Sequence, residues 1–355
     1  MSKINIFIFF LVAPFLSLFL VCMDFVEISN ALHIPLKEAQ KDIRGLHKET
    51  ENFHEDIVSL ENQIYKFHEG AINQRETFNK QGDKITELSN LSDKQKKLSE
   101  DIYEQKILEM LGPAIKAHIS DRVEIKIFQL KELGYRGYIA KVKLFDPSAF
   151  KVNLAKDKLG EAETVSSMAK RKGAILAING GGFFSTKKNG KKFIKMTANT
   201  VVDGRLLEPF YQDGENFFFA GINKKGQVIG TVPRKLEDIL KLDPYQGVSF
   251  VPMLLKDGKK VQIPKQWKET RHPRTILGKY SNDDLIMIVI DGRQGEWSIG
   301  VSLERLQDKL LELGVKDAYN LDGGGSSTFY YNGEVLNRPS DGRERPVVSS
   351  ILIYP

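Results

Sequence analysis

The sequence has little cysteine, histidine or tryptophan. Cys22 is the only cysteine among 355 residues, so the chain can form neither an internal disulfide framework nor a cysteine-based metal site. The six histidines do not make the His/Asp-rich cluster that is typical of metal-dependent phosphoesterases. We find no internal repeat and no low-complexity linker. What is left is the composition of a globular protein, 41% hydrophobic and 28% charged, which is long enough to bury a sizeable core.

Charged residues are absent from one apolar run, residues 4–23. A run of about 20 apolar residues is long enough to cross a bilayer as a helix. Lys3 precedes the run and Asp24 follows it, so the positive-inside tendency places the N-terminus in the cytoplasm and the remainder outside. A cleaved secretory signal is the alternative, but no clear small-x-small cleavage site follows the run. We therefore predict a signal anchor over 1–23, and a single-pass protein of the cell membrane.

Charge is divided unevenly along the rest of the chain. Residues 24–111 hold 12 Lys+Arg and 18 Asp+Glu, whereas residues 112–355 hold 39 and 28. A basic exported region favours anionic partners such as phosphate-bearing polymers or anionic lipid, although dispersed lysines that only confer solubility are commoner. We predict no nucleic-acid partner.

Residues 36–88 carry a seven-residue apolar repeat that is typical of a coiled coil. One row contains Leu36, Ile43, Ile57, Ile64, Phe78 and Ile85, and the other contains Leu46, Phe53, Leu60, Phe67 and Leu88. The repeat predicts a helical stalk over 24–111 that favours homo-oligomers. A hairpin that turns near Gly70 or Gly82 is the alternative, and Gly112-Pro113 ends the helical region.

Residues 112–355 read as one α+β domain with a mixed sheet. Thr164 caps a short helix that ends at Lys172, and Ser302 begins an amphipathic helix that ends before Gly314. Strand-like segments recur between these helices. They are 123–128, 138–145, 174–178, 216–222, 275–277, 285–290, 318–321, 328–331 and 347–353.

A carboxylate and three glycines stand between two of these strands, in the segment Asn320-Leu-Asp322-Gly-Gly-Gly-Ser-Ser-Thr328. Glycine weakens both strands, but it lets a ligand approach the backbone closely, and successive N–H groups can bind an anion. The loop offers Asp322 as acid, base or ligand. The alternative is a glycine-rich hairpin turn without a function.

Other polar clusters also follow or precede strands. Asn179-Gly-Gly-Gly-Phe-Phe184 repeats the order of strand and glycines, so we expect the two strand ends to meet at one edge. The phenylalanines either cover the core, which is commoner, or stack on a sugar ring. Arg271-His-Pro-Arg274 suits a rigid anion clamp. Asp291-Gly-Arg293 follows a very apolar strand. Glu304 lies in the first turn of its helix, where its charge also favours the helix dipole. Arg345 is placed either to bind an anion or to pair locally with Asp341 and Glu344.

The order of these motifs, followed by Asn337-Arg-Pro and Glu344-Arg-Pro-Val, resembles the phosphodiester glycosidase family. The resemblance covers roughly residues 120–355 and excludes the predicted anchor and stalk. The chain departs from the family at 180–182, where it has three glycines instead of the usual two. The resemblance implies hydrolysis of a sugar-1-phosphodiester on the sugar side, which releases free sugar.

The resemblance also implies roles for individual residues. We expect Asp322 to be the catalytic carboxylate, with Glu304 as second candidate and Asp291 as third. Arg271, Arg274 and Arg345 are expected to hold phosphate. The full set of predicted substrate-binding residues is Asn179, Gly180, Arg271, His272, Arg274, Asn320, Gly323, Gly324, Gly325, Ser326, Ser327 and Arg345. The expected substrate is a phosphate-linked glycan at the cell surface or outside the cell.

The sequence leaves the cofactor and two other functions open. Asp291, Asp322 and the asparagines supply oxygen ligands that suit Ca²⁺ or Mg²⁺, but no spacing requires a metal. A non-catalytic module that binds phosphorylated glycans, with avidity from the stalk, is the main alternative to an enzyme. Cleavage on the phosphate side is a further alternative, and it would release sugar phosphate.

Overall fold

A computed structural model of the chain describes residues 14–22, 84, 104–105, 107–188, 191–212 and 217–355. The chain divides into two compact units, 1–94 and 95–355. Residues 14–22 are helical, and no helix among the described residues is both long and apolar enough to span a bilayer. The rest of the predicted anchor, and nearly all of the predicted coiled coil, lie outside the described residues. All strands of the described residues lie in the second unit.

A large antiparallel sheet of eight strands forms the centre of this unit. In spatial order the strands are β1 (Lys116–Ile119), β2 (Val123–Glu132), β3 (Tyr135–Leu144), β16 (Leu285–Ile290), β15 (Arg274–Lys279), β17 (Asp317–Leu321), β13 (Met253–Lys256) and β14 (Lys259–Lys260).

Two five-stranded sheets and one hairpin complete the strands. The second sheet has the order β11 (Val228–Thr231), β10 (Phe218–Asn223), β12 (Pro244–Phe250), β8 (Val201–Val202) and β9 (Arg205–Leu206). The third has the order β19 (Glu334–Val335), β18 (Phe329–Tyr331), β5 (Leu176–Asn179), β20 (Ser349–Ile353) and β4 (Phe150–Leu154). The hairpin pairs β6 (Phe183–Lys188) with β7 (Lys191–Met196).

After the helical residues that precede Gly112, the described part of the second unit contains four α-helices. They are α1 (Val165–Lys172), α2 (Leu236–Leu240), α3 (Lys265–Lys268) and α4 (Leu303–Glu312). The two predicted helices are confirmed, because the hydroxyls of Thr164 and Ser302 accept hydrogen bonds from the third residue along in α1 and α4. All the predicted strand segments overlap strands of the structure.

The large sheet is buried on both faces, which explains the continuous apolar run of β16. Leu285, Met287 and Val289 face a core that the large sheet shares with the second and third sheets. Ile286, Ile288 and Ile290 face a second core with α4 and the helical residue Ile107. Alternate residues of a strand point to opposite faces, so a strand between two cores is apolar throughout. The unit is therefore a layered α+β fold made mostly of sheet.

The sheets are antiparallel, whereas the sequence analysis predicts a mixed sheet. Every paired strand among the described residues runs antiparallel to its neighbour. β2 and β3 illustrate the cause, since only Leu133 and Gly134 connect them and so short a link allows only an antiparallel pair. The polar ends of β16 and β17 consequently lie at the same end of the large sheet as the start of β15.

Candidate active site

The ends of β5 and β17 meet, as the sequence predicts, although the two strands belong to different sheets. The Asn179 side-chain amide donates to the Asp322 carbonyl over 2.6 Å, and the Asp322 N–H donates to the Gly180 carbonyl over 3.4 Å. Asn179 Oδ1 accepts from the Thr275 hydroxyl at 2.8 Å and from the Thr328 N–H at 3.1 Å. Through these hydrogen bonds Asn179 fixes the backbone at Asp322.

The glycine-rich loop crosses between sheets, so it is not a hairpin turn. It leaves β17 of the large sheet, makes a 3-10 turn at Gly324–Ser326 and enters β18 of the third sheet. Gly324 has φ +61° and its N–H donates to the Pro273 carbonyl over 3.0 Å. Glycine adopts this left-handed conformation without strain. The loop therefore passes tightly against the segment that leads into β15.

The Asp322 carboxyl titrates close to neutral pH. Burial raises the pKa of Asp322 to about 6, while the Ser326 hydroxyl, the Arg345 guanidinium and the Gly323 N–H act in the opposite direction. A carboxyl with such a pKa exchanges its proton in the range where general acids and bases operate. Asp322 thus combines a rigid backbone with a proton that is easily lost.

Two arginines flank the loop. Arg345 lies against Gly325, where a Cβ would collide with its guanidinium, and its Nη2 donates to the Asp341 carboxylate over 2.9 Å. Arg293 covers Gly324, and its Nη2 lies 3.3 Å from His272 Nδ1. Guanidinium groups bind phosphate oxygens in bidentate fashion. The loop accordingly has a positive charge on each side.

Asp341 brings a second carboxylate to the loop. The hydrogen bond from Arg345 lowers the pKa of Asp341, and Ser340 and Arg293 contribute in the same direction. Asp341 is therefore held ionised while the Asp322 proton is labile. Pairs of carboxyls whose environments push their pKa values apart are typical of sites that divide acid and base roles.

The predicted clamp at 271–274 is divided between three environments. Arg274 is buried and donates to the Val301 and Thr270 carbonyls over 3.2 and 2.8 Å, so it stabilises the turn. Burial, and to a smaller extent Arg293, lower the pKa of Arg274 to about 10. Burial also lowers the pKa of His272, which stands beside Arg293 at the loop. Arg271 is exposed and lines a separate cavity by Tyr135.

Asp291 is enclosed by donors. The Trp297 indole donates to its Oδ2 over 2.8 Å, while the Asn337 amide and the Arg338 N–H donate to Oδ1 over 3.0 and 2.9 Å. Burial raises the pKa of Asp291 against these three hydrogen bonds. The guanidinium of Arg338 also stacks on Trp297, 3.6 Å from the ring centre. This arrangement suits a residue that positions its surroundings.

Glu304 pairs with a residue of a neighbouring helix. Lys268 Nζ lies 2.7 Å from its carboxylate, and the Glu304 side chain is 44% exposed. None of its described contacts is with the glycine-rich loop. A catalytic role for Glu304 stays a prediction, and its position in the first turn of α4 also fits the helix-dipole interpretation.

The remaining predicted residues support the loop from below. The Asn320 amide donates to the Val251 carbonyl over 2.6 Å, and the Ser327 hydroxyl lies 3.3 Å from the Thr275 hydroxyl. The Asn337 amide donates to the Ser327 carbonyl over 3.0 Å, which connects the loop to the Asp291 network. The Ser326 side chain is buried next to Asp322.

The described part of the chain shows no preformed binding site for a divalent cation. It contains no group of three or more His, Cys, Asp or Glu side chains with the spacing of a metal site. The Asp291 oxygens are engaged by donors and Asp322 lies beside a guanidinium. A role for Ca²⁺ or Mg²⁺ stays a prediction.

Arg293 and Asp341 are site residues that the predicted set does not contain. Arg293 lies two residues after Asp291, at the end of a predicted strand. This position in the motif could have identified it as a site residue. Asp341 and Arg345 are four residues apart, and the local pairing foreseen for them is confirmed. Glu344 was the other expected partner of Arg345. Its carboxylate instead accepts a hydrogen bond from the Ser166 N–H over 2.9 Å.

Comparison with known proteins gives relatives for this domain. A family model described as phosphodiester glycosidase matches residues 172–354, half of the chain. An uncharacterised SPbeta prophage-derived protein of Bacillus subtilis is 32% identical over 203 residues, which are 54% of this chain and 30% of the relative. The bovine N-acetylglucosamine-1-phosphodiester α-N-acetylglucosaminidase is 28% identical over 195 residues, 50% of this chain and 35% of the relative. The chain thus spans about a third of the length of these relatives.

A solved structure shares the fold. The zebrafish N-acetylglucosamine-1-phosphodiester α-N-acetylglucosaminidase catalytic domain, auto-inhibited by its pro-peptide, aligns with a TM-score of 0.54 and 24% identity. The alignment covers 68% of this chain and 87% of that domain. At this identity the likeness concerns the fold.

Proposed function

Because this chain belongs to the phosphodiester glycosidase family, we propose that it hydrolyses a sugar-1-phosphodiester on the sugar side. The bond between the anomeric carbon and the phosphate oxygen breaks, and the oxygen of water joins the anomeric carbon. One proton of water is released to solvent or to the phosphate. The products are free sugar and a phosphomonoester.

The observation that carries this proposal is the Asp322 carboxyl, whose pKa burial raises to about 6 within a loop flanked by Arg293 and Arg345. Cleavage at an anomeric carbon passes through an oxocarbenium-like transition state, which an adjacent carboxylate stabilises. The phosphate leaving group carries its own negative charge, so guanidinium groups can stabilise its departure in place of a strong acid. We assign the ionised Asp322 as the catalytic form.

Asp341, Arg345 and Arg293 are assigned to binding the phosphate group. Arg345 and Arg293 hold the phosphate, and their guanidinium groups lie against the backbone of Gly325 and Gly324. Asp341 stays ionised through Arg345 and orients that guanidinium. In this proposal the cations act on the leaving group and the carboxylate acts on the sugar.

Product analysis tests the proposal. The full chain is incubated with a synthetic N-acetylglucosamine-1-phosphodiester, with and without chelator, and products are identified by mass spectrometry. We expect free sugar and phosphomonoester, and the Asp322→Asn variant is expected to yield neither. Sugar phosphate would indicate cleavage on the phosphate side. Tight binding without product would favour the non-catalytic binding module.

We further propose that the enzyme is exported, tethered by residues 4–23, and acts on phosphate-linked glycans of the surface or the surroundings of the cell. The uncharged apolar run and the basic charge of residues 112–355 support this. Membrane fractionation of the full chain and of a variant lacking 4–23 tests the tether. Sedimentation of the detergent-extracted chain tests self-association through 24–111.

A further inference from the structure

A polar cavity lies at the same end of the large sheet as the candidate active site. The β2–β3 turn and the N-terminal end of α4 enclose a volume of about 230 Å³. Its lining includes Glu132, Tyr135, Arg271, Val301, Ser302 and Arg305. No part of the mechanism above uses this cavity, although Arg271 belongs to the motif that contains His272.

The Tyr135 hydroxyl is a donor without an acceptor in this cavity. Its side chain is 4% exposed, and within the described part of the chain its hydroxyl has no hydrogen-bond partner. A buried hydroxyl that lacks a partner is destabilising, because no hydrogen bond compensates for the water it has lost. Burial also raises the pKa of Tyr135 to about 12, so the proton is retained. An acceptor that enters the cavity would satisfy this group.

Positive charge exceeds negative charge around the cavity. Arg271 has no ion pair or hydrogen bond among the described residues, and Arg305 lies 3.9 Å from Glu132 and 3.6 Å from Glu312. Glu132 is engaged more closely by Lys309, at 2.6 Å. The cavity therefore presents an unpaired guanidinium.

The α4 helix adds its N-terminus to these groups. Ser302 caps the helix and accepts from the Arg305 N–H, which leaves the first two backbone N–H groups of α4 without an intrahelical acceptor. A helix N-terminus favours an anion, and here it coincides with Arg271 and the unsatisfied Tyr135 hydroxyl. The three kinds of donor match the oxygens of one phosphate group.

The cavity and the glycine-rich loop lie along the same end of the large sheet. Tyr135 begins β3 and Asp322 follows β17, with β16 and β15 between them. Three strand spacings of about 4.8 Å separate the two sites by roughly 14 Å. His272 connects the two sites, because it is the sequence neighbour of Arg271 and contacts Arg293. A substrate chain that extends from the Asp322 loop toward the cavity would start at the Arg293 guanidinium and end at that of Arg271.

We propose that the cavity of Tyr135, Arg271, Arg305 and the α4 N-terminus binds a second phosphate of the substrate, and that the preferred substrate is a glycan chain with more than one phosphodiester. This inference rests on the proposed function, since the first phosphate is the one held at the Asp322 loop. It adds a substrate class to that function.

Binding measurements test the proposal without turnover. Calorimetry on the full-length Asp322→Asn chain compares a sugar-1-phosphodiester with a matched ligand that carries a second phosphodiester in its aglycone. We expect the second phosphate to lower Kd at least about tenfold, since charge-assisted hydrogen bonds contribute roughly 1.5–3 kcal/mol. Equal Kd values for the two ligands would overturn the proposal.

Variants locate the effect. Arg271→Gln and Tyr135→Phe, each added to the Asp322→Asn chain, are expected to bring the ratio of the two Kd values close to one. Arg205→Gln is the matched control, because Arg205 is an exposed arginine on β9 of the second sheet, and it should keep the full ratio. A ratio unchanged by Arg271→Gln and Tyr135→Phe would show that the second phosphate binds elsewhere, which also overturns the assignment. Thermal unfolding of each variant confirms that it is folded.

Turnover separates this inference from the proposed function. If the wild-type chain cleaves neither ligand but binds the doubly phosphorylated one better through Arg271, the cavity is retained and the glycosidase proposal fails. If it cleaves both with equal kcat/KM and binds them equally, the glycosidase proposal is retained and the cavity assignment fails.

Discussion

Asp291 and Asp322 occupy equivalent places in the fold, yet their surroundings differ. β16 and β17 flank β15, and each of the two carboxylates follows one of them. Burial raises the pKa of both. Asp291 accepts three hydrogen bonds of 2.8–3.0 Å, from an indole, an amide and a backbone N–H. Asp322 is affected by the Ser326 hydroxyl, the Arg345 guanidinium and the Gly323 N–H in a glycine-rich loop. The two carboxylates thus differ in the kind of donor around them more than in the direction in which burial moves their pKa.

The largest effect is expected for Asp322→Asn on turnover. Loss of a catalytic carboxylate should reduce kcat/KM by roughly 10²–10⁴-fold or more, while the fold is retained. Steady-state release of sugar measures this. Glu304→Gln is the informative comparison, because a similar loss in that variant, with Asp322→Asn still active, would transfer the catalytic role to Glu304.

Asp291→Asn should act on stability. The amide has one acceptor oxygen in place of two, so donors among Trp297, Asn337 and Arg338 lose their partner and the free energy of unfolding should fall by about 2–3 kcal/mol. Urea unfolding measures it. Asp341→Asn removes a more exposed carboxylate that pairs only at the surface, and it should change stability by less than about 1 kcal/mol. Equal effects of the two variants would show that the three hydrogen bonds to Asp291 contribute no more to stability than the surface pair of Asp341 and Arg345.

Ionisation of the Asp322 carboxyl should affect the pH dependence of both activity and stability. Activity should fall about tenfold per pH unit below a midpoint near 6, because only the ionised carboxylate is catalytic. In the folded chain the pKa lies above its unfolded value, so the stabilising protonation is complete below about pH 4 and is lost as the pH rises through 6.

Asp322→Asn has no carboxyl to ionise, so its stability relative to wild type should increase by about 2 kcal/mol between pH 4 and pH 8. Thermal unfolding across this range measures the difference. A constant difference would show that the Asp322 pKa is not raised in the folded chain.

The smallest expected effect is on the pH profile: besides weakening phosphate binding, Arg345→Gln should shift the activity midpoint. The guanidinium lowers the pKa of Asp322, so its removal should raise the midpoint by about half a unit to one unit. Arg343→Gln is the control, because Arg343 is exposed and contributes nothing to the Asp322 pKa. If both variants keep the wild-type midpoint, Arg345 does not interact with Asp322.

Local signals in the sequence predicted much of this fold. The caps at Thr164 and Ser302 are visible because helix ends need a side-chain acceptor within three residues. The meeting of Asn179 with Asp322 could be expected because each follows an apolar strand. The family followed from the order of the motifs, and the place of the glycine-rich loop between two strands followed from the apolar segments on either side of it.

Long-range pairing was harder to foresee. Nothing in the segment around Gly324 tells that β17 and β18 join different sheets, because sheet membership depends on strands over 100 residues away, such as β5. The separation of Arg271 from Arg274 has the same origin. Adjacent side chains point in different directions, and only the packing of Val301 against this segment decides which of them is buried.

Trp297 offers a direct optical signal from the site. It is one of only two tryptophans, and it is sandwiched between the guanidinium groups of Arg136 and Arg338, 4.6 and 3.6 Å from its ring centre. In a Trp267→Phe variant all indole emission would originate within hydrogen-bond distance of Asp291. Fluorescence titration could then follow ligand arrival at this end of the sheet even in a chain that performs no chemistry.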